Sequence, residues 1–594
     1  MPRKPSCRPH SLLIFLSILS VFLSFAGIVQ YLQSEVSLTV SEARYVINGT
    51  EEHHSPLPLS FTSTGQDIDI FFDITHTSST PTVFTVIPDD CLEELSINGT
   101  TFPHEDIPFC DWSRGRTFDL TEVLHDGTNQ IHARVKDNGN VGGLQLHAQE
   151  PPWYNALTLL RYALLFLAGT YACTALLRSI PATSRIPIPI LILLIGGILL
   201  RVLYVSATPH TVRGHDTEGH IDYINHIQNE MRIPHPSDGW EFYQPPAYYA
   251  LGALWQGLTE LLPFPLPYSH PQQTLSLLLA IFTFCLFVGI GILLFPTKRE
   301  YISRTLFIAT CATFPGIVFF SARINNDTLS LLLNTLALFF LLRFWNTHTW
   351  RVWLLLCIVL GVSLLTKTTA ALMIGTVFFC LLLVPRLTRR KRFLFAIAGG
   401  TLLLLLAGWF HIPRTLQTYH TKTTLVGNIR NLNSALRLEN DLENYTIFHP
   451  AKILEHPFNN PWHDDARRQY FWEYFYRSAF FGEFRFNVSP FVLENMLALG
   501  MVLLLFLPVG LFSRPLHPLL PLLCILTTGA IAVRYIHPFS SISDFRYSAL
   551  LVIPVSYYIL QGLQKLPHEW KTAGSTVYGL FLLFCTTFLI LLSP

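Results

Sequence analysis

Apolar runs of membrane-spanning length alternate with polar connectors along most of this chain. A bilayer core about 30 Å thick needs roughly 20 apolar residues per crossing helix. The runs fall near Leu12–Val29, Asn155–Leu177, Ile186–Val205, Thr274–Phe295, Thr305–Phe320, Leu329–Phe344, Trp353–Leu365, Ala370–Val384, Phe393–Phe410, Phe491–Phe512, Leu516–Val533, Tyr547–Leu560 and Thr576–Leu592. They predict a polytopic α-helical membrane protein of about 13 spans. Residues 35–150 break this rhythm. Short alternating stretches such as Asp67–Phe72, Thr82–Val86 and Gln130–Val135 are separated there by Asn-Gly, Asp-Gly and Pro turns. Period two with turn punctuation predicts an all-β domain, a sandwich or jelly roll. The chain thus reads as a membrane anchor at 1–30, a β-domain at 35–150 and a membrane core at 155–594, with long polar loops at 206–270 and 411–490.

Charge assigns the sides. Arg3, Lys4 and Arg8 precede the first apolar run, which keeps the start cytoplasmic and exports the β-domain. The run is long for a signal peptide and lacks a clear small-residue cleavage site, so a retained anchor is expected. Pro246–Leu262 is ambiguous. Read as a crossing, it throws Lys298, Arg299, Arg304 and the Arg386–Arg392 cluster to the exported side. Read as a surface helix, it leaves every basic connector in the cytoplasm, as the positive-inside rule prefers. Tyr248, Tyr249 and Trp255 suit an interfacial helix. Then Arg213–Tyr249, the Ser321–Asp327 corner, His411–Pro490 and Arg534–Arg546 all face out. The aromatic and charged run Arg467–Phe486 suits amphipathic helices that roof a site at the lipid interface.

Composition supports the membrane reading. Half of the 594 residues are hydrophobic and only 13% are charged, with a mean hydropathy of +0.38, against roughly a quarter charged in soluble domains. A formal net charge of +1 gives no basis for nucleic-acid binding. The cysteines show no metal-type spacing, and most lie inside apolar runs. Cys91 and Cys110 sit in the exported polar domain, where a disulfide between them is expected.

The stretch Arg213–Tyr249 concentrates the candidate chemistry. It carries Asp216, Glu218, His220, Asp222, Glu230, Asp238 and Glu241, with Arg213, His215 and His226. So many acidic and imidazole groups must sit in water or line a polar cavity. A carboxylate of the Asp216/Glu218 pair at a cavity mouth can take a proton from an acceptor hydroxyl or amine. The other, or a histidine, can orient the acceptor or hold a divalent cation. Spacing alone leaves ordinary solvated loop charges as an open alternative.

Particular motifs narrow the choice. Arg201-Val-Leu-Tyr204, HDTEGHIDYI from His215 and FYQPPAYY ending at Tyr249 resemble the first exported loop of GT-C membrane glycosyltransferases, the superfamily of the protein O-mannosyltransferases and the lipid A aminoarabinose transferase. Asp216 and Glu218 match the acidic pair of that loop, although Thr217 separates them here. Pro245-Pro246-Ala-Tyr248-Tyr249 matches the Pro-Pro motif, with Gln244 where several relatives carry Lys or His. ARINNDTLSLLL (Ala322–Leu333) resembles the second exported loop, and DFRYSALLVIP (Asp544–Pro554) the late Arg-Tyr motif. From Leu92 to His147 the β-domain resembles sugar-binding jelly rolls of glycoside hydrolases, through LSINGTTF and FDLTEVLHDGTNQIHARVKDNG.

The resemblance implies transfer of a hexose or pentose from a polyprenyl-phosphate donor to a glycan, lipid or protein acceptor on the non-cytoplasmic face. Asp216 is the implied base and Glu218 its companion. His215, His220, Tyr223, Tyr243, Gln244, Arg201, Arg213, Arg323, Asn326, Asp327 and Arg546 are the implied substrate contacts. Arg323 and Arg546 have a second reading as snorkelling residues, and Asn325-Asn326-Asp327 as a helix N-cap. No cofactor is required; a divalent metal near Asp216 and Glu218 is compatible. No nucleic acid is expected as a partner. A lipid-linked-sugar transporter would place charges and broken helices at mid-membrane in repeated halves, which this sequence lacks. A glycan-binding scaffold would not need the acidic loop.

Overall fold

The computed structural model describes residues 20–30, 39–171, 187–262, 268, 270–422, 434–513 and 517–592, apart from 48–50, 56, 58, 64, 66, 78–79, 103–106, 112–114, 138–139 and a scatter of positions between 150 and 170. The first half of the expected anchor, most of the expected 155–177 span and the connector carrying Arg178 and Arg185 lie outside the described residues. The chain forms two compact units, 1–179 and 180–594.

The first unit is the expected β-domain. Its strands are β1 (Thr39–Val40), β2 (Ala43–Ile47), β3 (Glu51–Ser55), β4 (Leu59–Ser63), β5 (Asp67–His76), β6 (Val83–Pro88), β7 (Cys91–Ile97), β8 (Thr100–Thr101), β9 (Arg116–Asp119), β10 (Gly127–Lys136) and β11 (Asn140–Ala148). One sheet runs β3-β2-β5-β10-β7-β8, with β1 also on β5; the other runs β4-β11-β6-β9. In β5, Ile68, Ile70, Phe72 and Ile74 are buried while the alternating residues are not. The antiparallel register pairs Phe72 with Ile131 and Ile70 with Ala133. Phe84, Val86, Phe118 and Leu144 from the second sheet join the same core, which makes the unit a sandwich. Asn98 and Gly99, both at positive φ, turn the β7–β8 hairpin as their sequence predicts. Cys91 and Cys110 are disulfide-bonded.

The second unit is helical. Seven described helices are long and apolar enough to cross a membrane: Ile188–Ser206, Pro271–Leu294, Asn326–Thr347, Arg389–Gln417, Pro490–Ser513, Leu519–Ile536 and His568–Leu591. An eighth is the bent pair Lys298–Thr313 and Pro315–Ser321, which turns by 56°. Together with this architecture, the long apolar helices make the protein an integral membrane protein.

Four expected spans have a different form. Thr305–Phe320 breaks because Phe314 is extended before Pro315. Trp353–Leu365 and Ala370–Val384 become short helices, Trp350–Leu364 and Ala370–Leu383, around a polar break. Tyr547–Leu560 begins as a 3₁₀ turn, Phe545–Leu551, and continues as Val552–Lys565. The ambiguous Pro246–Leu262 stretch forms a helix over Ala247–Glu260, 14 residues. At 1.5 Å per residue that is about 21 Å, short of the hydrocarbon thickness.

Candidate active site

The acidic turn is built by a tight loop at the start of the Thr217–Glu230 helix. Asp216 stands at its N-cap position with φ 54°, in left-handed backbone, and makes no capping bond with its side chain. A carboxylate normally satisfies the first N–H groups of a helix from this position. Here the Asp216 side chain is exposed and instead accepts a bond from Trp240 Nε1 at 3.3 Å. Arg213, three residues earlier, is also left-handed. Glu218 lies in the first helical turn, open to solvent, and partial burial followed by the Asp222 charge raises its pKa.

One turn further, the helix buries its inner face. His220 Nδ1 lies 2.8 Å from the Tyr249 hydroxyl and the two rings stack. Tyr223 stacks on Tyr249 at 3.8 Å between centroids and donates to the Gln244 carbonyl. Burial holds His220 neutral, with its pKa down to about 4. Gln244 ties the Pro-Pro segment to the Ser321–Asp327 corner. Its amide nitrogen donates to Glu241 at 3.0 Å and to the Tyr243 hydroxyl at 2.8 Å, and its oxygen accepts from Asn326 Nδ2 at 3.1 Å. Burial, then the Asp216 charge, raises Glu241 to about 7.

The Ser321–Asp327 corner closes the other side. Asn325 occupies the N-cap of the Asn326–Thr347 helix without a side-chain cap bond. Asp327 is buried in the first turn and pairs with Lys367, which comes from the break between Trp350–Leu364 and Ala370–Leu383. The Lys367 ammonium sits 4.9 Å over the Tyr547 ring. Arg546 lies 4.8 Å over the same ring and donates to its hydroxyl at 2.7 Å. Arg323 packs against Phe320 and Phe484, and Gly482 takes positive φ where a Cβ would meet the Arg323 guanidinium at 3.2 Å. Both arginine side chains are buried rather than extended toward an interface.

The segment from residue 434 to 486 roofs this layer, since the Arg389–Gln417 helix runs past the expected loop start at 411. The Phe471–Phe481 helix is anchored by Arg467 and Arg477 around the fully buried Glu473. Ser478 Oγ accepts from the Phe545 backbone N–H at 2.9 Å, which fixes the roof to the late Arg-Tyr motif. Tyr474 donates to Glu483 at 2.5 Å. Glu483 and Asp544 flank His215, at 3.7 Å from Nδ1 and 3.9 Å from Nε2. Burial, then the Asp544 charge, raises Glu483 to about 7. Burial, then the Arg546 and Arg323 charges, drives His215 well below the ordinary imidazole range.

Below the charges opens a small cleft. Asp327, Asn334, Arg546 and Tyr547 line its polar side, while Leu331, Met373, Leu526 and Leu550 line its apolar side.

The sequence candidates therefore divide. His215, Asp327 and Arg546 fall within this charged layer, with Arg323 beside it. His220, Tyr223, Tyr243, Gln244 and Asn326 form the adjoining hydrogen-bonded wall, with Asp216 and Glu218 at its exposed rim. Arg213 lies with its guanidinium 4.6 Å over Phe486. Arg201 is placed elsewhere. Its guanidinium donates to the carbonyls of Gly197, Cys311 and Ala312. Cys311 would bond residue 315 in a continued helix, but Pro315 has no N–H, so Arg201 satisfies the orphan carbonyl. Lys367 and Glu483 are additions that sequence reasoning did not name, and Glu241 and Asp544 stood only within the quoted stretches, with no role of their own. Lys367 had a local signal, a lone charge between two short apolar runs.

The family model described as dolichyl-phosphate-mannose-protein mannosyltransferase matches residues 274–410. No curated protein matches the sequence. The cryo-EM structure of arabinosyltransferase EmbB from Mycobacterium smegmatis aligns with 93% of this chain and 53% of its own, at 9% identity and a TM-score of 0.32. This chain thus spans about half the length of that protein, and a likeness at that score carries no argument about mechanism. The matched stretch 274–410 includes Arg323, Asn326, Asp327 and Lys367, so the similarity to this mannosyltransferase family covers part of the membrane core and of the candidate site.

Proposed function

We propose that this protein transfers a sugar from a polyprenyl-phosphate donor to an acceptor on the non-cytoplasmic face of the membrane, with Asp216 as general base. The observation that carries this reading is the join between the exposed acidic turn and the buried charged layer. Asp216 is free of capping duty and open to an acceptor. Its chain neighbour His215 lies 3.7 Å from Glu483 and 3.9 Å from Asp544, so the turn meets the charged layer.

In this reading the donor phosphate enters the cleft below toward Arg546, and the first isoprenoid carbons lie toward Leu331, Met373, Leu526 and Leu550, the residues that line it. Arg546 and Lys367 supply positive charge for a leaving phosphate, whose developing charge is stabilised by fixed cations in a water-poor site. The acceptor oxygen or nitrogen bonds to the anomeric carbon while the bond from that carbon to the phosphate oxygen breaks, with inversion. Asp216 takes the acceptor proton, and lipid phosphate leaves. The matched family model suggests mannose as the first sugar to test and protein as the first acceptor. The anchor at 1–30, the exported domain at 35–150 and the core at 155–594 complete the proposed organisation, with the β-domain on the same side as the site.

Purified protein incubated with a panel of radiolabelled polyprenyl-phosphate sugars is the direct test. Release of lipid phosphate with sugar transferred to acceptor supports the reading. Movement of intact lipid-linked sugar across the membrane without cleavage replaces it with transport.

A further inference from the structure

We propose that His215, Glu483 and Asp544 form a binding site for one transition-metal dication of the Zn²⁺ type. One ligating atom from each lies within 4.8 Å of the other two. The contacts at 3.7 and 3.9 Å are too long for hydrogen bonds, so the three groups gather without satisfying one another. Asp544 is 2% exposed, and its Oδ2 has no hydrogen-bond partner; His215 Nε2, facing it, is likewise buried and unbonded. Leaving such atoms unmatched in a protein interior is costly, and a cation between them removes the cost.

The remaining atoms of the ligands are held in place. Asp544 Oδ1 accepts from the Arg546 backbone N–H at 2.8 Å. Glu483 Oε1 accepts from the Tyr474 hydroxyl at 2.5 Å. The His215 ring packs on Phe484 at 4.8 Å. These are the outer-shell supports that fix ligand orientation in metal sites. Zinc bonds of about 2.0–2.2 Å in a tetrahedral site set ligand atoms roughly 3.4 Å apart, so atoms that lie within 4.8 Å of one another must draw together by up to about 1.4 Å, and three protein ligands leave a fourth position open.

The ligand set selects the ion. Arg546 Nε lies 3.9 Å from Asp544 Oδ2, and Arg323 is close by, so a purely electrostatic ion such as Mg²⁺ or Ca²⁺ meets repulsion with only two carboxylates to offset it. A histidine nitrogen gives the stronger, more directional bond that Zn²⁺ prefers over the oxygen-seeking ions. The site differs from a metal on Asp216 and Glu218, since neither of those belongs to it.

The test uses the full chain in detergent, stripped with chelator and titrated with Zn²⁺ alone, with bound metal measured by elemental analysis after equilibrium dialysis. Saturable binding of one Zn²⁺ per chain is expected, with a rise in unfolding temperature. Asp544→Asn and His215→Gln weaken binding by more than about tenfold, because loss of even an outer-shell partner costs about 10–100-fold. Tyr474→Phe leaves all three ligands in place and weakens it less, which keeps the test decisive where a ligand variant fails to fold. Mg²⁺ at the same concentration does not compete. Absence of saturable Zn²⁺ binding, or equal affinity in wild type and all three variants, overturns the site. The readout is metal bound rather than sugar transferred, so its failure leaves the transfer reading standing.

Discussion

The acidic turn at Asp216 and Glu218 and the layer formed by Asp327, Lys367, Glu483 and Asp544 carry similar charges in opposite settings. The turn is exposed, sits on left-handed backbone and spends little of its hydrogen-bonding capacity on the protein. The layer is buried, and Asp327 and Lys367 are bonded to each other. A group that exchanges a proton with an incoming acceptor must be reachable, whereas groups that orient a phosphate must be fixed before it arrives. On the proposed function the difference separates a reactive rim from a positioning floor, and each can be perturbed without the other.

The largest effect is expected at the rim. Asp216→Asn should lower transfer by about 10²–10⁴-fold, the usual cost of losing a positioned base, with donor binding and thermal stability nearly unchanged. Glu218→Gln should cost less. Single-turnover assays with labelled donor, beside donor-binding measurements, check both. A dead Glu218→Gln with an active Asp216→Asn would move the base to Glu218.

The floor should respond in stability. Lys367→Met leaves Asp327 buried without its partner and should destabilise the protein by about 3–5 kcal/mol, whereas adding Asp327→Asn should recover much of that loss. Unfolding curves of the two single variants and the double variant measure the coupling. If the singles are additive, the pair is not the unit that the geometry indicates.

The wall between rim and floor gives a smaller change. Tyr249→Phe removes the partner of the buried His220 Nδ1. A loss of about 1–3 kcal/mol is expected, the price of one unsatisfied buried group. The same unfolding assay applies, and an unchanged midpoint would show that water replaces the hydroxyl.

The smallest effect is the pH dependence contributed by Glu241. Its folded pKa is raised from 4.5 to about 7, so the folded state keeps a proton that the unfolded state releases. Stability from this group is fully present below about pH 4.5 and is lost as pH rises to about 7. Glu241→Gln retains an oxygen to accept the Gln244 bond and should flatten that part of the stability profile. Comparison of wild-type and variant unfolding between pH 4.5 and 8 tests the sign. A steeper decline in the variant would exclude the assignment.

The sequence by itself determined what depends on local periodicity. Alternation in Asp67–His76 and the Asn98-Gly99 turn settle a strand and a hairpin, because side-chain direction repeats every two residues and positive φ suits those turn residues. The long apolar runs settle membrane helices for the same kind of reason. The exposed acidic turn was also legible, since its charges lie two positions apart in the chain and are incompatible with lipid. Only the tertiary structure decided the floor. Lys367 meets Asp327 across 40 positions, Phe545 meets Ser478 across 67, and Asn326 meets Gln244 across 82. No local pattern encodes such pairings. The packing of broken helices brings them together, as it turns Arg201 from a seeming phosphate ligand into the partner of the Cys311 carbonyl that Pro315 leaves unbonded. Charge in a membrane protein marks where polar groups are needed, and the fold decides which other groups they meet.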